Sequence, residues 1–307
     1  MPLPPAPDSV VTIDRPHVPA LALSPIVAGL WRIAEWKLDV QARVRWIEQA
    51  LELGIDSFDH ADIYGDYRAE ALFGEAIKAA PALRGRMQLV TKCGIRLRSA
   101  SRPYKINHYD TSAAYVRAQV EQSLRNLRTE RLDLVLIHRP DCLMDAAALA
   151  DTFRTLSREG KVAHWGVSNH TTSQFALLQA CHPLATNQVE LSPLAMGALD
   201  DGTLDQAQQL GLRPMIWSPL GGGRLFSGED EQAMRVRTEM NAIATRLGIS
   251  LTTLAFAWIL RHPSRPHPIT GTGRVDGLRE AVAALEVQLG AEDWYAIWTA
   301  SKGHPVP

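Results

Sequence analysis

Four side chains that suit acid–base or metal chemistry lie within six positions of the sequence. Asp59, His60, Asp62 and Tyr64 come at the end of the apolar run 55–58. Carboxylate and imidazole groups at this spacing are candidate metal ligands, whereas a tyrosine close to a carboxylate suits proton transfer. A third interpretation is a polar loop without a chemical role. The segment alone leaves all three interpretations open.

Two later residues, Lys92 and His138, also follow apolar runs and extend the acid–base interpretation. The unperturbed pKa of tyrosine, about 10, is too high for efficient proton exchange at neutral pH. A nearby ammonium lowers this pKa, and a carboxylate paired with the ammonium fixes its position. With Lys92 between Asp59 and Tyr64, we expect a tuned general acid–base group. His138 would be a neutral hydrogen-bond partner for a substrate oxygen, which suits carbonyl reduction by hydride.

Regular elements must position these residues, and short apolar runs recur along the chain. Eight runs are typical of β-strands: 26–30, 55–58, 87–90, 132–137, 162–167, 184–189, 215–217 and 268–270. Most are followed by apolar residues at helical spacing. The helix signals agree, with N-cap candidates at 110–112, Asp145, 171–172 and Ser250 and glycine stops at Gly54, Gly160 and Gly211.

The alternation of strands and helices predicts parallel strands joined by helical crossovers, as an open doubly wound sheet or a closed barrel. A dinucleotide-binding doubly wound sheet should carry G-x-G-x-x-G after its first strand, whereas this strand ends VAGLW at residues 27–31. The predicted fold class is therefore α/β, a single (β/α)8 TIM barrel with extended βα loops. We assign it residues 13–307, after a flexible N-terminal arm at 1–12.

Composition narrows the function classes. The chain has 307 residues, 46% of them hydrophobic and 21% charged, with 32 basic and 33 acidic side chains. Without a long basic run or an apolar segment of membrane length, we expect neither nucleic acid nor a membrane as partner. Three separated cysteines without CxxC spacing, and no signal peptide, favour a reducing cytoplasmic location. Oligomeric state leaves no signal in the sequence.

Several segments together resemble one known family, over roughly residues 20 to 290. FDHADIYG, LVTKCGI, LDLVLIHRPD, WGVSNH, NQVELSPL, IWSPLGGGRL and PITGTGR are similar to the aldo-keto reductase family, most closely its bacterial general-oxidoreductase branch. The resemblance implies a barrel that binds NADP(H) without a glycine-rich dinucleotide motif and reduces a small-molecule aldehyde or ketone to an alcohol. It makes Tyr64 the proton donor, tuned by Lys92 and Asp59, while His138 orients the carbonyl.

The resemblance also assigns cofactor-binding residues along the strand ends. Ser168, Asn169 and Gln188 match positions that hold the nicotinamide carboxamide, and Trp217 matches the aromatic ring beside the nicotinamide. Pyrophosphate contacts are implied for Ser218, Leu220, Gly222 and Arg224. Gly29 and Trp31 are added from the first strand end, where Trp31 also resembles residues that line the substrate pocket.

At the adenosine end the sequence departs from the better-known family pattern. Gly271 and Gly277 occupy positions where many relatives carry a lysine and an arginine for the 2′-phosphate. Arg274, beside Thr272 and Gly273, is the expected replacement, because one guanidinium can bind a phosphate through two hydrogen bonds. Glu280 is a further candidate near the adenine or ribose. We therefore expect NADP, with NAD as the open alternative.

Two other functions compete with a reductase. A metal-dependent barrel hydrolase would use Asp59, His60 and Asp62 with His138 as ligands, but it leaves Tyr64 and Lys92 without a role; we predict no metal site. A cofactor-binding regulatory subunit of the same fold would retain the same four residues. Only a measurement of turnover can distinguish such a regulatory subunit from an enzyme.

Overall fold

The computed structural model describes residues 21–99 and 102–307. The predicted arm at 1–12 and the start of the predicted barrel domain therefore lie outside the described residues. Within them the strands are β1 (Val27–Gly29), β2 (Ser57–Asp59), β3 (Gln88–Cys93), β4 (Ile95–Arg96), β5 (His108–Tyr109), β6 (Leu132–Ile137), β7 (Val162–Ser168), β8 (Asn187–Glu190), β9 (Met215–Trp217) and β10 (His267–Thr270).

Eight of these strands close into a parallel barrel in the order β1-β10-β9-β8-β7-β6-β3-β2. All eight correspond to the predicted apolar runs, which confirms the (β/α)8 fold class. β4 and β5 pair antiparallel in a separate two-stranded ladder. That ladder lies in the long segment between β3 and β6.

Helices connect the strands and cover the barrel. They are α1 (Val40–Glu52), α2 (Tyr64–Tyr67), α3 (Ala69–Ala79), α4 (Ala113–Asn126), α5 (Ala146–Arg158), α6 (Thr172–Cys181), α7 (Gly197–Asp200), α8 (Thr203–Gln209), α9 (Arg224–Ser227), α10 (Glu231–Leu247), α11 (Leu251–Leu260), α12 (Val275–Ala283) and α13 (Ala291–Lys302). Short 3₁₀ turns occupy Pro81–Arg86, Gly221–Gly223 and Ala284–Glu286. No single helix of the described ranges is long and apolar enough to span a membrane; α10 and α11 pass that test only as a pair bent by 96°.

The helices begin and end where the capping signals predict. The side chains of Ser112, Asp145 and Ser250 each accept a hydrogen bond from a first-turn backbone N–H, and Thr171 forms a capping box with Gln174. Gly54, Gly160 and Gly211 follow the ends of α1, α5 and α8 with φ of 79°, 73° and 61°. That left-handed backbone satisfies the last helical carbonyls and favours glycine.

Two apolar layers fix the direction in which the strands present their side chains. Inside the barrel, Val27, Val90, Leu134, Leu136, Met215 and Ile269 form one buried cluster. Outside it, strand residues pack on the helices, as where the Phe58 and Phe73 rings lie 5.3 Å apart. Because strand side chains alternate, Lys92 faces inward like Val90, and Cys93 joins the outer layer. The polar strand ends are thereby gathered at one mouth of the barrel.

Candidate active site

Lys92 is the centre of the candidate site and is 1% exposed. Its Nζ lies 2.8 and 2.7 Å from the two carboxylate oxygens of Asp59 and donates to the carbonyl oxygen of His60 at 2.7 Å. The same Nζ is 3.1 Å from Tyr64 Oη. A buried ammonium is stable only when it is paired and hydrogen-bonded, and these contacts meet that requirement. Lys92 therefore joins the carboxylate to the phenol, as the sequence predicted.

Burial and charge oppose each other at this centre. Burial lowers the pKa of Lys92, but the Asp59 carboxylate and Tyr64 outweigh it, so the pKa is raised and the ammonium stays charged. Burial raises the pKa of Tyr64, and the nearby Lys92 only partly offsets that effect. The expected lowering of the Tyr64 pKa is thus wrong for this structure, because desolvation of the phenolate outweighs the ammonium. The phenol is protonated at neutral pH, as a proton donor must be.

His138 lies beside the phenol at the end of β6. Its ring centroid is 5.8 Å from that of Tyr64, at an interplanar angle of 77°. Burial lowers the pKa of His138 well below its usual value, and the positive charges of Lys92 and Arg139 lower it further. A neutral imidazole can exchange a hydrogen bond with a substrate oxygen without a competing positive charge. The lowered pKa leaves the imidazole neutral, which is the state that the predicted role of this histidine requires.

The opposite side of the mouth is a chain of hydrogen bonds from β7 to β9. Trp217 Nε1 donates to Asn169 Oδ1 at 3.0 Å, and Asn169 Nδ2 donates to Ser168 Oγ at 2.7 Å. Ser168 Oγ in turn donates to the carbonyl oxygen of Gln188 at 3.0 Å. Gln188 Nε2 reaches Asp59 Oδ1 at 3.0 Å. The residues assigned to the nicotinamide end are therefore coupled directly to the carboxylate of the acid–base group.

A cavity of about 600 Å³ opens between these two sides. Its volume is in the usual range for small-molecule and cofactor sites. Three of the four predicted catalytic residues line it, while Lys92 lies behind them. Of the predicted cofactor residues, the lining includes Gly29, Trp31, Ser168, Asn169, Gln188, Trp217, Ser218, Leu220, Gly222, Gly271 and Thr272.

Four predicted cofactor residues lie outside the cavity lining. The Arg224 guanidinium pairs with Asp230 at 2.5 Å. Gly273 packs against Trp36, whose ring would be 2.7 Å from a Cβ at that position. Arg274 is exposed at the start of α12, and its backbone N–H donates to Thr272 Oγ1 at 3.1 Å. Glu280 lies in α12, where its carbonyl oxygen accepts from Thr253.

The cavity also contains residues that the sequence did not single out. Some had a signal: Arg32 and Arg139 directly follow predicted site residues, and Gly223 and Phe226 belong to the GGGRLF segment. Phe256, from α11, had none, because its helix gives no indication of which residue reaches the barrel mouth. The remaining unpredicted lining residues are Ile63, Ile95, Leu97, Pro219, Ile269 and Thr270.

The alternative metal ligands, His60 and Asp62, occupy a different environment. Both are buried, and their side-chain nitrogen and oxygen atoms have no hydrogen-bond partner. Burial lowers the pKa of His60 to about 3, and its ring lies edge-on to Phe73 at 4.6 Å. Burial raises the pKa of Asp62 well above its usual value. Across residues 21–99 and 102–307, no group of three His, Cys, Asp or Glu side chains is arranged to hold a metal ion.

The architecture is that of a (β/α)8 barrel with a cavity at the strand ends, and comparison with known proteins specifies the family. Residues 25–302 match the model of the Aldo/keto reductase family. Oxidoreductase YdhF of Escherichia coli (strain K12) is 49% identical over 287 residues, covering 92% of this chain and 95% of that protein. A 6-dehydroglucose reductase of Agrobacterium fabrum is 42% identical over 291 residues, covering 93% and 97%.

The solved structures agree in fold. The glycerol dehydrogenase AKR11B4 from Gluconobacter oxydans superimposes with a TM-score of 0.81 at 24% identity, covering 95% of this chain and 96% of that one. The chain belongs to the aldo/keto reductase family and is an oxidoreductase with bacterial relatives. The predicted family and fold are thus confirmed.

Proposed function

We propose that the protein catalyses the reversible NADP(H)-dependent reduction of an aldehyde or ketone, with Tyr64 as the proton donor. The observation that carries this proposal is the position of Lys92, held by Asp59 at 2.7 Å and reaching Tyr64 Oη at 3.1 Å. Membership of the aldo/keto reductase family supports the reaction class. The arrangement of Asp59, Lys92 and Tyr64 is therefore suited to the proton transfer that carbonyl reduction requires.

The second half of the cavity fits a nicotinamide dinucleotide. Ser168, Asn169 and Gln188 offer hydroxyl and amide groups beside the acid–base group, and Trp217 adds a flat ring. A Cβ at Gly222 or Gly271 would meet no atom within 4 Å, so the backbone there is open to a ligand. Gly222 has a φ of 66°, which other residues rarely adopt. When bound, the cofactor would supply the hydride that reaches the carbonyl carbon.

The side chains of the site account for the proton and the developing charge. As the carbonyl oxygen becomes negative, the Tyr64 hydroxyl gives it a proton and the product is an alcohol. The Lys92 ammonium stabilises the resulting phenolate, and Asp59 keeps the ammonium in place. Neutral His138 shares a hydrogen bond with the same oxygen. In alcohol oxidation the Tyr64 phenolate takes the proton back.

NADP is proposed over NAD because of Arg274. Its guanidinium has no hydrogen bond or ion pair with any described residue and is exposed at the N-terminus of α12. A helix N-terminus and a guanidinium both favour a phosphate group. Thr272, which lines the cavity, accepts a hydrogen bond from the Arg274 backbone and connects this corner to the rest of the site.

A Tyr64→Phe variant tests the proposed chemistry. Removing one hydroxyl should lower turnover by roughly a thousandfold or more, since no other group can donate the proton in its place. The dissociation constant for NADPH should stay within about twofold, because the hydrogen bonds offered to the cofactor are unchanged. NADPH consumption is followed with a broad carbonyl panel that includes 6-dehydroglucose, the substrate in the name of the Agrobacterium relative.

Two results would count against this assignment. Retained turnover in the phenylalanine variant, or loss of NADPH binding, would remove Tyr64 as the proton donor. If the wild-type protein binds NADPH tightly but reduces nothing in the panel, the regulatory-subunit function replaces the enzymatic one.

A further inference from the structure

Arg139 is a cation of the cavity wall that the proposed chemistry does not use. It follows His138, is half-buried, and its guanidinium carbon lies 5.6 Å from the centroid of the Trp217 ring. Its positive charge lowers the pKa of both Tyr64 and His138, so the guanidinium is close to the reacting end of the cavity. No residue of the described ranges forms a hydrogen bond or an ion pair with this guanidinium.

The charges around Arg139 leave its positive charge without a counterpart in the cavity. Asp59 is the one carboxylate among the lining residues, and Lys92 already neutralises it. Outside the lining, Glu190 is a candidate, because burial raises its pKa and Arg139 lowers it, but the two form no ion pair. A guanidinium that loses water when a ligand binds needs a charged or hydrogen-bonding partner. That partner must therefore come from the ligand.

The apolar neighbours narrow the chemistry of that ligand. Ile63, which follows β2, and Ile95 and Leu97, which follow β3, all line the cavity. A polyhydroxylated substrate would need many hydrogen-bonding groups on this side, and these three residues offer it only apolar side chains. An apolar body with one negative group matches these three apolar side chains together with the unpaired guanidinium of Arg139.

We propose that the carbonyl substrate carries a carboxylate on an apolar body, and that Arg139 binds this carboxylate. The inference rests on the proposed reductase function and names the substrate class of the same site. Guanidinium and carboxylate match in shape and form two parallel hydrogen bonds. The carboxylate end would lie on Arg139 while the carbonyl oxygen meets Tyr64 and His138.

Arg139 is distinct from the residues suited to cofactor phosphates. The other arginine of the lining, Arg32, is directed to the glycine loop, where its Nη2 donates to the carbonyl oxygen of Gly222 at 3.4 Å. Arg139 instead lies at the acid–base end, next in sequence to His138. The two arginines therefore form a matched pair for experiment: one beside the expected pyrophosphate, the other beside the reacting carbonyl.

The test compares two aldehydes of the same shape, 4-carboxybenzaldehyde and the neutral 4-nitrobenzaldehyde. The ratio of their kcat/KM values, carboxylate over nitro, should fall roughly tenfold or more in Arg139→Gln, because a charge-assisted hydrogen bond is lost. The ratio for Arg139→Lys should lie between those of the wild type and Arg139→Gln, since lysine keeps the charge but not the planar guanidinium group. Arg32→Gln should leave the ratio within about twofold of wild type.

A binding measurement separates the substrate class from the proposed reaction. Calorimetry compares 4-(hydroxymethyl)benzoate with 4-nitrobenzyl alcohol on the cofactor-free protein, with and without Arg139→Gln. If neither aldehyde is reduced by the wild type but carboxylate binding still depends on Arg139, the anion site stands and the reductase function falls. If the affinity ratio and the kcat/KM ratio are both unchanged in Arg139→Gln, or change equally in Arg32→Gln, the carboxylate assignment is overturned.

Discussion

The two ends of the cavity are built on opposite principles. At the acid–base end, Asp59 and Lys92 are 3% and 1% exposed. They bind each other, and Lys92 also bonds to Tyr64 and Asp59 to Gln188. At the end predicted for the adenosine, Gly271 and Arg274 are exposed, and the Arg274 guanidinium has no partner among the described residues.

At the first end the protein itself supplies the partners of its charged side chains, whereas at the second end a ligand must supply them. Buried charges have to be satisfied within the chain, so the acid–base end is preorganised before any ligand arrives. An exposed cation is stabilised by water, so it needs no partner within the chain before a phosphate binds. We therefore expect substitutions at the first end to change both stability and turnover, and substitutions at the second end to change only cofactor affinity.

The largest combined effect on turnover and stability is expected for Lys92→Met. The change removes the ammonium that stabilises the Tyr64 phenolate, so kcat should fall by roughly a thousandfold. It also leaves the buried Asp59 carboxylate without a counter-charge, and the free energy of unfolding should fall by about 3–5 kcal/mol. Turnover assays and urea denaturation measure the two effects.

The double variant Lys92→Met, Asp59→Asn is the matched control for that prediction. It removes the unpaired charge, so part of the lost stability should return while turnover stays low. A double variant no more stable than the single one would show that the buried charge is not the cause of the instability.

A smaller effect is expected at the adenosine end, from Arg274→Ala. The KM for NADPH should rise about tenfold and the KM for NADH less than about twofold, because only NADPH carries the 2′-phosphate. Unfolding midpoints should be unchanged. Arg224→Ala is the control, since pyrophosphate is common to both cofactors and any effect should be equal for the two. Equal effects of Arg274→Ala on both cofactors would end the 2′-phosphate assignment.

The smallest effect is expected for pH, and it tests whether the acid–base end is tuned as its burial implies. The pKa of His138 lies well below 6.5, so its ring is neutral above that pH, and the pKa of Tyr64 is raised above 10.0, so its phenol stays protonated below that pH. Single-turnover reduction should therefore vary less than about twofold from pH 6.5 to 10. A rate of reduction that falls by half as the pH rises from 7 to 9, with a single ionisation, would contradict the raised Tyr64 pKa.

Much of the fold was predictable because it depends on local patterns. Apolar runs and helical spacing identified all eight barrel strands, and short-range caps such as Ser112 and Thr171 marked helix starts. One predicted strand, the run 184–189, begins only at Asn187. Strand boundaries depend on hydrogen bonds to a neighbouring strand, which local sequence does not specify.

The sequence by itself determined which chemical groups stand at the strand ends, since strand alternation and the order of the barrel bring Asp59, Lys92 and His138 to one mouth. Only the tertiary structure decided how those groups behave. It joined Gln188 to Asp59 across 129 positions, raised the pKa of the Tyr64 phenol through burial, and left Arg139 unpaired in the cavity wall. The physical reason is that pKa and hydrogen-bond partners depend on burial and on distances between remote segments, which residue spacing does not encode.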